Sequence, residues 1–181
     1  CLEHPGLSRT TARVVAARAR VSPAAIGYHF GTVRALMTAA ALDATRVWGN
    51  EMVQALEAAQ AQSLGEVSRA DLWDVVIASF EGHRAGLLAT YELLVLAQSD
   101  VTVRDILRAQ VDHAQVVLAR TFEPSRRDQT EDQLRHLGAA HYTILSGLMT
   151  QWLLAPESVV SGELLDAVLG HRGMPEPGPE G

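Results

Sequence analysis

Apolar positions recur along this chain at three- and four-residue intervals, the spacing of amphipathic helices. The pattern predicts helices over about 33–61, 70–84, 86–98, 101–122, 127–155 and 157–170, after two short ones near the start. No stretch alternates apolar and polar residues for long enough to suggest a strand. Away from the two ends and Pro23, proline occurs only at Pro124 and Pro156, and both fall between helical patterns. The predicted fold class is all-α.

The most specific signal lies between Thr10 and Leu36. Thr10 or Thr11 can cap a first helix, because a threonine oxygen accepts a free backbone N–H at a helix start. Val14, Val15, Ala16 and Ala19 then give one apolar stripe. Ser22 followed by Pro23 starts another helix, the serine as cap and the proline where its missing N–H costs nothing. Only Arg20 and Val21 separate the two. Helices joined by so short a turn form a helix-turn-helix, whose second helix lies in the major groove of DNA. Ile26 and Phe30, four apart, are expected to point into the core. Ala24, Ala25, Gly27, Tyr28 and His29 are left on or near the outer face. Gly31 and Thr32 end this helix and cap the next.

The helix starting at Thr32 continues through Leu36, Ala40, Val47, Trp48, Met52 and Leu56, and would join the motif rigidly to the rest of the chain. Beyond it, Leu72, Val75, Val76, Ser79, Phe80, His83 and Leu87 share a face. So do Leu87, Tyr91, Leu94, Val95 and Gln98, and then Val103, Ile106, Leu107, Gln110, Val111, Ala114, Val117 and Leu118. Polar residues within apolar stripes need hydrogen-bond partners when buried. Either they sit at helix ends and pair with one another, or they line a small-molecule pocket, which is mainly apolar with a few placed polar groups. The candidate ligand residues are Phe80, His83, Tyr91, Gln98 and Gln110; His113 and Glu92 lie on neighbouring faces. Along 127–155, Leu134, Leu137, His141, Leu145, Leu148 and Trp152 form a stripe, and Gly138 and Gly147 permit close backbone approach. The last helix adds Val159, Val160, Leu164, Leu165, Val168 and Leu169.

Composition sharpens this picture. The net charge is −6, which by itself disfavours nucleic acid, but its distribution does not. Residues 1–46 carry Arg9, Arg13, Arg18, Arg20, Arg34 and Arg46 against Glu3 and Asp43, while residues 47–181 carry nine arginines against the other nineteen acids. A basic end on an acidic body is the electrostatic footprint of a DNA-binding head. A single cysteine rules out an internal disulfide and a cysteine-rich zinc site. No apolar run approaches the ~20 residues of a membrane span and no signal-like start is present, so a cytoplasmic location without membrane partners is expected. All fifteen basic residues are arginine, which excludes a lysine-bearing phosphate loop. There is no HExxH and no nucleophile elbow, and His136 and His141 are five apart rather than the four of a helical ligand pair. Asp71 and Asp74, like Glu131 and Asp132, read as solvated helix starts. Neither enzymatic activity, nor a metal, nor a cofactor is expected.

The stretch around the turn resembles the TetR family of bacterial transcriptional regulators. The matching elements are the threonine at the helix start, Ala16 and Ala19, Val21-Ser22, Tyr28-His29-Phe30-Gly31 and Leu36, over about 30 of the 181 residues. The chain departs from that pattern at Arg20, where the family usually has glycine, so Arg20 has to tolerate any left-handed backbone that the turn demands. It departs again at Gly27, often aromatic, and at Val33, usually lysine, with Arg34 beside it. The family also has a helix ahead of the motif. Pro5-Gly6 cannot sit in a helix interior, so the expectation is a head truncated at its start, from a longer protein.

The resemblance implies a DNA-binding domain over 1–46 and a helical ligand-binding and dimerisation domain over 47–171; Pro175, Pro177 and Pro179 mark the end, 172–181, as a disordered tail. It implies a ligand-responsive regulator, most often a repressor, that binds a palindromic operator in double-stranded DNA as a homodimer. By motif position, Thr11, Ser22 and Thr32 would hold phosphates, with Arg34 replacing the absent lysine, while Ala24, Ala25, Gly27, Tyr28 and His29 face the groove. The last two helices would meet their copies in a four-helix bundle through Leu134, His141, Leu145, Leu148, Trp152, Leu164 and Val168. An unknown small-molecule effector completes the set of partners. The rival reading is a helical small-molecule binding or carrier protein with a vestigial head.

Overall fold

The computed structural model describes residues 10–62 and 67–169. Within them the chain is all-helical: α1 (Ala12–Ala19), α2 (Pro23–Phe30), α3 (Val33–Gln62), α4 (Arg69–Ala78), α5 (Arg84–Leu96), α6 (Val101–Phe122), α7 (Glu131–Leu154) and α8 (Gly162–Leu169). Single 3-10 turns at Pro124–Arg126 and Pro156–Ser158 precede α7 and α8. The expected tail at 172–181 and the residues ahead of Thr10 lie outside the described residues.

The three helix boundaries that depart furthest from the periodic pattern each do so for a local reason. α4 stops at Ala78 because the Ser79 hydroxyl donates back to the Val76 carbonyl at 2.6 Å and Gly82 takes a φ of 82°, which turns the chain before α5. α7 starts at Glu131, where Thr130 and Gln133 form a reciprocal capping box. α8 waits until Gly162, with Ser161 Oγ accepting the Leu164 N–H at 3.3 Å.

The principal core gathers Trp48, Met52 and Leu56 of α3 with Leu72, Trp73 and Val76 of α4, then Phe80, Leu87, Leu118, Phe122, Leu145, Leu148 and Met149. Trp73 and Phe122 stack at 4.3 Å between centroids, an aromatic contact that adds stabilisation beyond burial. A second cluster joins Ala41 of α3 to Ala89, Leu93 and Ala97 of α5 and to Val103 and Leu107 of α6. Small residues bring the helices together: a Cβ on Gly86 would lie 3.3 Å from the Ala44 carbonyl oxygen. Asp74 is not a merely solvated helix start, because its Oδ1 accepts the Gly162 N–H at 2.7 Å and ties α8 to α4.

α3 is the mechanical link. Its 30 residues span ~45 Å at 1.5 Å per residue, from the Thr32 cap at one end to the body core at the other. Its first turns bury Met37 and its middle buries Trp48 and Met52. Trp48 Nε1 donates to Ser79 Oγ at 3.2 Å, and Thr45 and Thr90 hydroxyls meet at 3.2 Å, so polar contacts as well as packing fix α3 to α4 and α5.

Candidate nucleic-acid interface and internal cavity

Thr11 begins α1, its Oγ1 accepting the Val14 N–H at 3.4 Å, while Thr10 is buried. The helix ends at Arg20, which sits in the left-handed region at φ 57°, ψ 39°. Arg20 is the single non-glycine residue with positive φ among those described. The Val21 N–H then donates to the Ala16 carbonyl at 3.0 Å, closing the turn. Ser22 caps α2 through the Ala25 N–H at 3.3 Å, with Pro23 at the first helical position. Gly31, at φ 71°, ends α2, and Thr32 Oγ1 accepts the Ala35 N–H at 3.0 Å to open α3.

Three hydroxyls therefore cap three consecutive helices. Each cap uses an oxygen lone pair, which leaves the hydroxyl able to donate outward. Helix N-termini also favour anions through their oriented amides. Thr11, Ser22 and Thr32 are all exposed, as are Arg13, Arg18, Arg20 and Arg34. Arg46 is committed to Asp43 at 2.6 Å.

Ala16, Ile26 and Met37 form the small core of this head. Tyr28 is 87% exposed and meets His29 edge-to-face at 5.0 Å. Ala24 and Gly27 are exposed beside them, whereas Ala25 is half-buried and turns partly inward. Phe30 corrects the expectation of an inward pair with Ile26: Ile26 is buried, but Phe30 is 44% exposed. Being four apart puts two residues on one helix face, but burial requires neighbours all round, and the described elements cover Phe30 only in part.

The body contains a cavity of about 160 Å³ between α3, α5, α6 and α7. Its wall includes Thr45, Trp48, Gly49 and Met52 of α3, Thr90 and Leu94 of α5, Leu107, Gln110, Ala114 and Val117 of α6, and Tyr142, Leu145 and Met149 of α7. Burial pushes the Tyr142 phenol above its ordinary pKa, with the Ser146 hydroxyl pulling partly back. Gln110 Oε1 is buried without a hydrogen-bond partner.

Of the five ligand candidates, only Gln110 lines this cavity. Phe80 is fully buried in the principal core, packed between Trp48 and Trp152. His83 closes the α4–α5 turn, Nδ1 against the Ser79 carbonyl at 3.0 Å and Nε2 against Glu51 at 2.8 Å. Tyr91 bonds Thr150 at 2.6 Å, joining α5 to α7, and Gln98 donates to its own helix at Leu94. Phe80, His83 and Tyr91 hold elements together and Gln98 serves its own helix end; the polar groups among them find their partners internally. His113 stands at the cavity's exposed rim. Gly49, Ala114 and Tyr142 join the wall without standing out as ligand residues in sequence. The small side chains facing each other on α3 and α6 are the available signal.

The candidate dimer residues also divide. Leu134, Leu145 and Leu148 are 0–3% exposed within one protomer and close its own core, so they are corrected to core residues. Trp152 packs on Phe80. His141 lies against Phe122 and Trp73, with Nδ1 at 3.3 Å from the Leu137 carbonyl and Nε2 at 3.7 Å from Glu123. Burial holds its imidazole below the ordinary pKa, against the upward pull of the Leu137 carbonyl and Glu123. Leu164 and Val168 are exposed. The stripe read along α7 is real, but it is the inward stripe of the protomer.

No grouping of three or more histidine, cysteine or acidic side chains suited to a metal occurs among the described residues, and none of their helices is long and apolar enough to cross a membrane. Comparison of the chain with protein-family models, curated proteins and solved structures finds no match.

Proposed function

We propose that this chain is a ligand-responsive DNA-binding transcriptional regulator of the TetR-like kind, acting as a homodimer. The observation that carries the reading is the head: a three-residue turn sets α2 against α1, with Tyr28 and His29 standing outward between hydroxyl-capped helix starts. An aromatic side chain 87% exposed gains nothing from the protein's own core, and a groove-facing helix gives it a surface to contact. Thr11, Ser22, Thr32 and Arg34 would hold phosphates and fix the register, contacts that position rather than specify. Ala24 and Gly27 offer no side-chain hydrogen bonds. Base reading therefore rests on Tyr28, His29 and methyl contact from Ala24, with DNA shape supplying the remainder.

The proposed dimer uses what α7 and α8 leave outward. Ala140, Thr143, Gly147, Gln151 and Leu154 are exposed at helical spacing along α7, and Leu164 and Val168 are exposed on α8. Pairing there would place two heads to read half-sites about 34 Å apart. The test is a gel-shift titration of the full-length protein on the DNA upstream of its own operon. Salt-sensitive, sequence-preferring binding is expected. Ligand binding without any such DNA binding would replace this reading with that of a helical carrier.

A further inference from the structure

Gly27 is a glycine that the protein's own fold does not require. It lies inside α2 on ordinary helical backbone, unlike Gly31 and Gly82 with their positive φ. An added Cβ there would meet nothing within 4 Å among the described residues. Glycine in a helix interior nevertheless destabilises it relative to alanine, and α2 has only eight residues to hold it together. What a missing side chain does offer at an exposed position is close approach of another surface to the backbone. The neighbours of Gly27 say what that surface carries. Ala24 stands three residues before Gly27 and four before Tyr28, so the three positions adjoin on the helix. Ala24 and Gly27 are exposed, and Tyr28 rises beside them at 87% exposure. Together they make a notch with a backbone floor, one methyl wall and one aromatic wall. From Pro23 to Phe30 the helix has no arginine, lysine, asparagine, glutamine or acid. It therefore lacks the side chains that hold guanine or adenine by paired hydrogen bonds, or that accept from the cytosine amine. Thymine is the base whose major-groove edge presents a methyl group, and alanine and aromatic side chains are its apolar partners.

We propose that α2 reads its half-site at a thymine whose C5 methyl seats over Gly27, between Ala24 and Tyr28, which makes Gly27 a specificity-determining residue. The inference rests on the DNA-binding reading and names the base to which that surface is fitted. A side chain at position 27 would lift the helix away from the base edge. Contacts of Thr11, Ser22, Thr32 and Arg34 with phosphates position the head whatever the sequence, so the loss would fall on discrimination rather than on general affinity for DNA.

The preferred site is first selected from random-sequence duplex DNA with the full-length protein, and affinities are then measured by fluorescence anisotropy. Each thymine of the half-site is replaced in turn by deoxyuridine, which lacks the methyl, and each purine by its 7-deaza analogue, which lacks the N7 acceptor. At one thymine or more, deoxyuridine is expected to weaken binding about fourfold, the effect of one methyl withdrawn from water. The 7-deaza replacements are expected to stay below about fivefold, the least that a lost bidentate pair would give. Gly27→Ala is expected to raise the melting temperature, because it replaces a helix-interior glycine in open space. The same variant is expected to bind the selected site about fourfold or more weakly, to bind unrelated DNA as the parent does, and to lose the distinction between thymine and deoxyuridine. A Gly27→Ala protein that melts lower or fails to fold would give the glycine a structural reason and overturn the proposal. So would a site with no thymine sensitive to deoxyuridine, or a distinction that Gly27→Ala keeps. Those outcomes leave DNA binding itself intact. Failure of the parent protein to prefer any sequence defeats the regulator reading, and the thymine notch with it.

Discussion

Gly138 of α7 lies against the backbone of Gln115 of α6 so closely that a Cβ would overlap the Gln115 carbonyl oxygen and sit 2.8 Å from its Cα. Backbone cannot rotate away as the end of a side chain can. Gly138→Ala must therefore push α6 and α7 apart along the contact that carries Val116, Ala119 and Leu134. The expected cost is about 1–3 kcal/mol, the range of overpacking in a close-packed core, measured by urea denaturation. Gly49→Ala is the contrasting substitution: it meets open space and replaces a helix-interior glycine, so a gain of about 0.5–1 kcal/mol is expected. An equal response of the two variants would refute this account of the α6–α7 crossing.

Tyr28→Ala separates binding from folding. With Tyr28 87% exposed, the melting temperature is expected to stay unchanged, while affinity for the selected DNA site falls by about 1–3 kcal/mol. Arg34→Gln should instead weaken binding to all sequences alike and reduce the salt slope by about one. A Tyr28→Ala protein that binds its site as tightly as the parent would remove α2 from the proposed interface.

Periodicity makes the helices and the turn readable because both are local properties: a cap, a proline and a three- or four-residue stripe act within one turn of chain. The left-handed conformation at Arg20 is suggested instead by the resemblance, which has glycine at that place. What stays hidden depends on partners distant in sequence. Phe30 and Ile26 share spacing but not neighbours, and Leu134 and Leu145 read equally as core or as interface until α6 is seen across from them. Phe80 and Gln110 look alike as members of apolar stripes. Only the relative placement of α3, α5, α6 and α7 decides that Gln110 reaches a cavity and Phe80 does not.

The proposed dimer has a direct test in Gly147, which is exposed on α7, where an added Cβ would meet nothing within 4 Å. Gly147→Arg is expected to leave the protomer folded, by circular dichroism, yet to shift the protein to monomer in sedimentation at micromolar concentration. Val168→Asp, at a site 67% exposed, should do the same from α8. Both variants remaining dimeric would move the interface to another face.

His141 makes stability depend on pH. Its pKa in the folded protein is lowered from 6.5, chiefly by burial. Above 6.5 the ring is neutral in both states and costs nothing. As pH falls below that value the unfolded chain takes up a proton that the folded one resists, so stability is lost until the lowered folded pKa is reached. The melting temperature is therefore expected to fall as the pH drops through 6.5. His141→Phe keeps an aromatic ring against Phe122 and Trp73 and should flatten that part of the profile. An unchanged slope in His141→Phe would show that another group governs it.

Arg20 combines a conformational cost with a charge at the proposed interface. Its φ of 57° is one that an L-residue adopts at a cost of ~1 kcal/mol and glycine adopts freely. Arg20→Gly relieves the strain and removes the charge; Arg20→Ala removes the charge and keeps the strain. Both are expected to lower DNA affinity and its salt dependence by similar amounts, because each deletes one exposed cation near the turn. Only Arg20→Gly is expected to raise stability, by about 0.5–1 kcal/mol over Arg20→Ala in denaturant titration. Equal stability of the two would show that the turn does not depend on the left-handed residue. Equal stability together with undiminished DNA binding would mean that arginine contributes neither contact nor strain at this position.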